Sequence, residues 1–381
     1  MNRVLRIILN LLIFILVIGF AGYLVHSLVK DEPVFGSDSN DGMRTPYKKI
    51  NSIKVKSEIL SFDLSDNNIY MAVSHAVMVY NKTGKLLKEI PAGKEIRDIK
   101  VEGDRIYLLY PAGIEVFTLD GVRITGWEAR RPNSDYCAMT PADEYIFVTD
   151  AGNKNICKYT KEGDFISIIL SPNGFIIPSY AFDIVNIGDT IYCSNSGRHQ
   201  IESYTINGEY IASFGKSGSE AGSFAGCCNP VYLECNNGIP AVANSNNGIP
   251  AVANSNNGIP AVANSNNGTV SERSRTIPAV ANSCNPASPQ HGDILTSEKG
   301  NPRISCYSRD GKFKAILLGS KMLGGGTKAY RMKVQGDKIF VIGKNVLSEF
   351  IFDPQLASQS ACAGCPHSPF EGGQGGCIVV K

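Results

Sequence analysis

The sequence predicts an all-β fold: a six-bladed β-propeller behind an N-terminal transmembrane helix. Three observations predict it. A strand–turn–strand unit recurs six times, a glycine turn follows each of the first five apolar strand pairs at a near-constant distance, and a 19-residue apolar run opens the chain.

The apolar run comes first. Residues 7–25 contain one strongly polar residue, Asn10. At about 1.5 Å per helical residue the run is about long enough to cross a hydrocarbon core of roughly 30 Å. Arg3 and Arg6 precede it, and Lys30 follows beside Asp31 and Glu32. A basic flank stays in the cytoplasm, which puts the remainder on the extracytoplasmic, periplasmic side. The alternative is a cleaved signal peptide. The run is long for one, and Gly19 to Tyr23 supplies no clean A-x-A cleavage site. Residues 1–30 therefore read as a transmembrane signal anchor. Residues 31–46, polar and rich in Ser, Asp and Gly, read as a flexible linker.

Residues 47–353 carry the repeat. Its apolar pairs are Ile69-Tyr70, Ile106-Tyr107, Ile146-Phe147, Ile191-Tyr192, Ile294-Leu295 and Ile339-Phe340. Gly84, Gly121, Gly163, Gly208 and Gly311 follow the first five at offsets of 15, 15, 17, 17 and 17 residues. The fourth unit reads as four strands: Phe182 to Val185, Thr190 to Cys193, Ile201 to Tyr204 and Tyr210 to Phe214. The first and third alternate, and Asn207-Gly208 is a hairpin signal. One four-stranded sheet cannot bury both its faces. Blades stacked around an axis bury them against each other. Without the insertion described next, the span allots about 42 residues per blade, as propellers require. The last unit lacks an outer strand. Residues 47–55 can supply it and so close the ring without a free edge.

Residues 239–248, 249–258 and 259–268 are three identical copies of IPAVANSNNG, and IPAVANS returns at 277–283. A packed element would vary with its surroundings, so identical copies read as a recent tandem duplication. Removing residues 239–292 rejoins a strand, a turn and a strand that match the other units. The insertion is therefore expected at a hairpin tip of blade 5, where closure cost grows slowly with length.

Asp150 to Ile156 and Ser194 to Ile201 resemble the signature of NHL-repeat propellers: a polar residue, a Gly/Asn turn, a basic or amide residue, then an Ile strand. The resemblance spans most of residues 47–353. Gly226-Cys227-Cys228-Asn229-Pro230 with Thr296-Ser297-Glu298-Lys299-Gly300 resembles a bacterial, membrane-anchored subgroup that carries both motifs in one blade. The resemblance implies the fold and leaves activity open, because such propellers include scaffolds, lyases and lactonases.

Composition narrows function. With 37 Lys+Arg against 35 Asp+Glu, the chain is too evenly charged for a general nucleic-acid binder. No Walker loop, G-x-S-x-G elbow, HExxH or dinucleotide fingerprint occurs. His26 falls in the membrane segment, His291 in the insertion and His367 in the tail, which leaves His75 and His199 for a channel site. Asp63, Asp98 and Asp183 occupy matching positions in three inner strands. They either ring the channel or accept backbone N–H bonds and brace the blades.

The 11 cysteines leave at least one unpaired. Cys137, Cys157, Cys193 and Cys306 fall on strands and read as small buried hydrophobes. Cys227 and Cys228 should point opposite ways, because Cys228-Asn229-Pro230 is read as the start of an inner strand. Glu298 and Lys299 are expected beside them. The group is either a ligand or redox site or a structural turn with a Glu–Lys surface pair. In the tail, residues 354–381, Cys362, Cys365, His367 and Cys377 suit a disulfide or exchanging dithiol, zinc, or an iron–sulfur cluster completed from the propeller.

These readings predict a binding or assembly scaffold with protein partners, no catalysis and no cofactor. The alternatives are a redox or metal-handling accessory protein and a channel-centred lyase or lactonase. Neither the small-molecule ligand nor the partner is named by the sequence.

Overall fold

The computed structural model describes residues 12–14, 16–20, 45–236 and 291–356. Most of the IPAVANSNNG insertion and the Cys-rich tail lie outside the described residues. So does most of the apolar run, of which residues 12–14 and 16–20 are helical. Among the described residues no helix is long and apolar enough to cross a membrane.

Twenty-four short strands form six antiparallel four-stranded sheets. β1 (Tyr47–Lys54) belongs to the last of them. Blade 1 is β2 (Ser61–Leu64), β3 (Asn68–Val73), β4 (Ala76–Asn81) and β5 (Leu86–Pro91). Blade 2 is β6 (Asp98–Glu102), β7 (Arg105–Tyr110), β8 (Gly113–Thr118) and β9 (Arg123–Glu128). Blade 3 is β10 (Tyr136–Ala142), β11 (Tyr145–Asp150), β12 (Asn155–Thr160) and β13 (Phe165–Ile169). Blade 4 is β14 (Ile184–Ile187), β15 (Thr190–Asn195), β16 (Gln200–Thr205) and β17 (Tyr210–Phe214). Blade 5 is β18 (Tyr232–Cys235), β19 (Ile294–Glu298), β20 (Arg303–Tyr307) and β21 (Phe313–Leu318). Blade 6 is β22 (Met332–Gln335), β23 (Lys338–Ile342), β24 (Val346–Phe352) and β1. β1 pairs antiparallel with β24 from Tyr47↔Phe352 to Lys54↔Val346, so the two ends of the repeat share one sheet.

The core is divided as the blades are. Tyr70, Val77 and Val79 of blade 1 pack on Ile99, Ile106 and Leu108 of blade 2. Equivalent clusters fill each of the other interfaces, including the closing one, where Ile53, Phe340 and Leu347 meet Phe62, Ile69 and Met71. Cys137 and Cys193 lie in the blade 3–4 cluster, Cys157 in blade 2–3, Cys235 in blade 4–5 and Cys306 in blade 5–6. Burial pushes the Cys137 and Cys157 thiols up to about 12, and Cys193 and Cys306 are also raised. These four are small apolar side chains in protonated form, as their strand positions suggest.

The recurring glycine has two causes. Gly121 and Gly163 sit at φ +89° and +105°, where a side chain is strained. A Cβ there would also stand 3.0 Å from Ile90 and 2.5 Å from Trp127, both on the outer strand of the preceding blade. The turn between the third and fourth strands thus packs on its neighbour.

The β18–β19 hairpin closes through Asn236 and Asp293, whose backbone groups bond at 3.1 Å, and through Gly292 N–H to the Asn236 carbonyl at 2.9 Å. The chain leaves and re-enters the blade at this tip.

Candidate functional site

Each inner strand presents two positions to the channel region, one on either side of an apolar residue. Register assigns them to two levels. Leu64, Val101 and Asn186 pair with the repeat isoleucines Ile69, Ile106 and Ile191. Counting back from these places Ser61, Asp98 and Asp183 at one level and Asp63, Lys100 and Val185 at the other. The same count in blades 3, 5 and 6 gives Ala138, Tyr232 and Arg331, then Thr140, Glu234 and Lys333. Asp63 therefore does not match Asp98 and Asp183, contrary to the matching positions expected from the sequence. It lies two residues further along its strand, a shift the short Asp-containing segments conceal.

The three aspartates do the same job at both levels. One oxygen accepts the N–H of the next residue, and the other accepts an N–H from the next blade. Asp63 Oδ2 takes Val101 N–H at 2.8 Å, Asp98 Oδ2 takes Met139 N–H at 3.1 Å, and Asp183 Oδ2 takes Leu233 N–H at 2.8 Å. Each carboxylate clasps two blades.

Basic side chains from blades 2 and 6 neutralise them. Lys333 Nζ lies 3.3 Å from Asp63 and 3.0 Å from Glu234. Arg331 reaches Asp98 at 3.3 Å, and Lys100 stands 3.8 Å from it. Burial pushes the Asp98 carboxyl up, but Lys100, Arg331, the Ser61 hydroxyl and the Met139 N–H bring it below the usual carboxylate value. Asp183 and Glu234 are raised, because burial outweighs the cations near them. A small cavity of about 170 Å³ remains at the Lys100–Lys333 level.

A larger cavity of about 440 Å³ opens on the face formed by the blade-to-blade loops and the turns between second and third strands. Lys328, Arg331 and Lys344 line it, with Tyr232, Tyr330, Glu58 and the Gly324-Gly325-Gly326 run. Arg331 stacks on Tyr232, 4.6 Å from the ring centroid. Its Nε is buried and makes no hydrogen bond. Sequence reading missed this cavity, because its lining comes from three separate loops.

The same face carries the cysteine pair. Cys227 and Cys228 lie in the loop before β18, which begins only at Tyr232. They are not strand residues, and their side chains converge. Cys227 Sγ stands 3.1 Å from Cys228 Sγ. Cys227 is exposed, while Cys228 is fully buried. Burial pushes the Cys228 thiol up, but the nearby Lys299 ammonium and the contact with Cys227 bring it below the ordinary cysteine value. Cys227 is raised, first by its hydrogen bond with Cys228.

Asn229 ties this loop to the β19–β20 turn. Its Oδ1 accepts Lys299 N–H at 2.9 Å, and its Nδ2 donates to the Lys299 carbonyl at 3.0 Å and to the Ala225 carbonyl. His199 Nε2 bonds the Gly226 carbonyl just before the pair. His75 is exposed. Glu298 departs from expectation. It is buried at the end of β19, ion-paired with Arg303 at 2.6 Å, and it accepts Ala225 N–H. Glu298 is thus a loop brace, with no surface pair to Lys299. Arg303, which also holds the Ser223 carbonyl, is the partner that sequence reading did not find. Cys362, Cys365, His367 and Cys377 lie outside the described residues. Among the described residues no three His, Cys, Asp or Glu side chains are grouped to hold a metal.

No family model matches the chain, and no curated protein matches it. Among solved structures it is similar to virginiamycin B lyase from Staphylococcus aureus, at 12% identity and a TM-score of 0.47, over 80% of this chain and 99% of that one. It is similar to a streptogramin B lyase at 13% identity and 0.49, over 81% and 98%. It is also similar to the WD40 propeller domain of Doa1 at 9% identity and 0.48, over 82% and 99%. The activities in those names are those proteins' own. The propeller of this chain is read from its six sheets.

Proposed function

We propose that the protein is a membrane-anchored, extracytoplasmic scaffold of the NHL-repeat type that holds a protein partner on its loop face. One observation carries this reading. The channel carboxylates are engaged in blade-to-blade clasps and ion pairs, Arg331 among their partners, while Lys328 and Lys344 line the 440 Å³ mouth cavity with the single acid Glu58. That charge balance suits an acidic segment of a partner, with Tyr232 and Tyr330 supplying the flat contacts that interfaces favour. The apolar run with Arg3 and Arg6 before it supports the anchor and its orientation.

The test is made in intact cells on the full chain. A photocrosslinker at Lys344 should capture one discrete partner, and Lys328→Glu should reduce capture by tenfold or more. Carbonate washing should leave the protein in the membrane fraction. Release by carbonate would remove the anchor from the reading. Capture insensitive to Lys328→Glu would remove the acidic partner.

A further inference from the structure

The loop before β18 holds chemistry that the scaffold does not use. Two thiols touch at 3.1 Å, inside van der Waals contact and outside bonding distance. One is exposed and the other buried. Asn229 and His199 hold the backbone on either side, and Asn229 binds the same turn that brings Lys299 to Cys228. The other described cysteines of the blades are buried in the inter-blade clusters. Only here, among the described residues, do a reachable thiol and a thiol able to resolve it meet beside a cation.

We propose that Cys227 and Cys228 form a thiol–disulfide exchange site that cycles between a dithiol and a vicinal disulfide. Its co-reactant is a disulfide, R–S–S–R. Cys227 is the entry sulfur, because it alone is exposed. In the reacting form the pair carries one proton, on Cys227, the other having passed to solvent. As Cys227 Sγ attacks R–S–S–R, that proton passes to the Cys228 thiolate. A Cys227–S–R bond forms, the R–S–S–R bond breaks, and RS⁻ leaves. RS⁻ takes the proton from Cys228. The freed Cys228 thiolate, held by Lys299, then attacks Cys227 Sγ. The Cys227–Cys228 bond forms, the bond to S–R breaks, and a second RS⁻ leaves. The dithiol loses two electrons and the disulfide gains them. Run backwards, the vicinal disulfide oxidises a dithiol.

The experiment uses the full chain with oxidised and reduced glutathione as the probe, followed by alkylation and peptide mass mapping. Mapping separates residues 227–228 from the tail cysteines. Rising glutathione disulfide should convert the peptide, in a single transition, from doubly alkylated to lacking two hydrogens. Cys228→Ser should stop at a stable Cys227–glutathione mixed disulfide. Assayed at a pH below the Cys228 pKa, Lys299→Met should slow closure of that mixed disulfide by about threefold per unit rise in that pKa, the lost thiolate fraction being partly offset by greater nucleophilicity, and Lys299→Arg should restore it. Doubly alkylated peptide at every glutathione ratio would overturn the proposal. So would a wild-type protein that rests at the mixed disulfide, or a Lys299→Met protein that closes at the wild-type rate.

Discussion

At the residue scale the channel aspartates decide most. Asp98 is fully buried, and its carboxyl is held below the ordinary value once Lys100 and Arg331 outweigh burial. A carboxyl with a lower pKa folded than unfolded adds stability above its unfolded value. It loses that stability as pH falls through the folded value. Asp98→Asn keeps an acceptor for Met139 N–H but leaves Arg331 without its anion. We expect a loss of about 3 kcal/mol near neutral pH, the scale set by breaking a buried ion pair. The loss should shrink as pH drops below about 4. Denaturant titrations of both proteins at about pH 7 and about pH 3 check this, and equal losses at both would exclude the charge as the cause. Sequence reading singled out these three aspartates, with a channel ring or blade bracing as their alternative roles. It placed Asp63 at the wrong level, because level is set by strand register and adjacent residues alone do not reveal it.

At the element scale the third-to-fourth-strand turn repeats because its surroundings repeat. Gly163 has φ +105°, and an added Cβ would meet Trp127 at 2.5 Å. Gly163→Ala should therefore destabilise by roughly 1–3 kcal/mol through backbone strain and displacement of the indole. Trp127 is the chain's one tryptophan, so its fluorescence reports the site alone. An unshifted emission maximum with unchanged stability would contradict the packing. The cysteine loop makes the opposite point. Read as the start of a strand, Cys227 and Cys228 diverge; in the loop, they converge. The residues responsible are remote in sequence: Asn229 binds Lys299 at 2.9 Å across 70 positions.

At the scale of the whole molecule, closure comes from β1 joining β24, which covers the edge of β24 and gives blade 6 four strands drawn from both ends of the repeat. The insertion lies beyond a hairpin tip whose last described bonds link Asn236 with Gly292 and Asp293. Removing residues 239–292 leaves Asn237-Gly238 between them, a favoured two-residue hairpin turn. The loop shortens by roughly five halvings, so stability should hold or rise by up to ~3 kcal/mol. Thermal unfolding of the deletion protein checks this, and a lowered midpoint would mean that the insertion contributes to the fold.

Periodicity and turn chemistry were enough, in the sequence by itself, to determine six blades, their strand order and the closing strand. Local hydrogen bonding and side-chain alternation act over a few residues, and the chain records them directly. Only the tertiary structure decided which polar residues meet. Arg331 pairs with Asp98 from 233 positions away, Arg303 takes Glu298 out of the surface, and Lys299 is tied to Asn229, beside Cys228, from the β19–β20 turn. Charge pairing and thiol chemistry depend on distances of a few ångströms in space. Ring closure sets those distances between residues that the sequence keeps far apart.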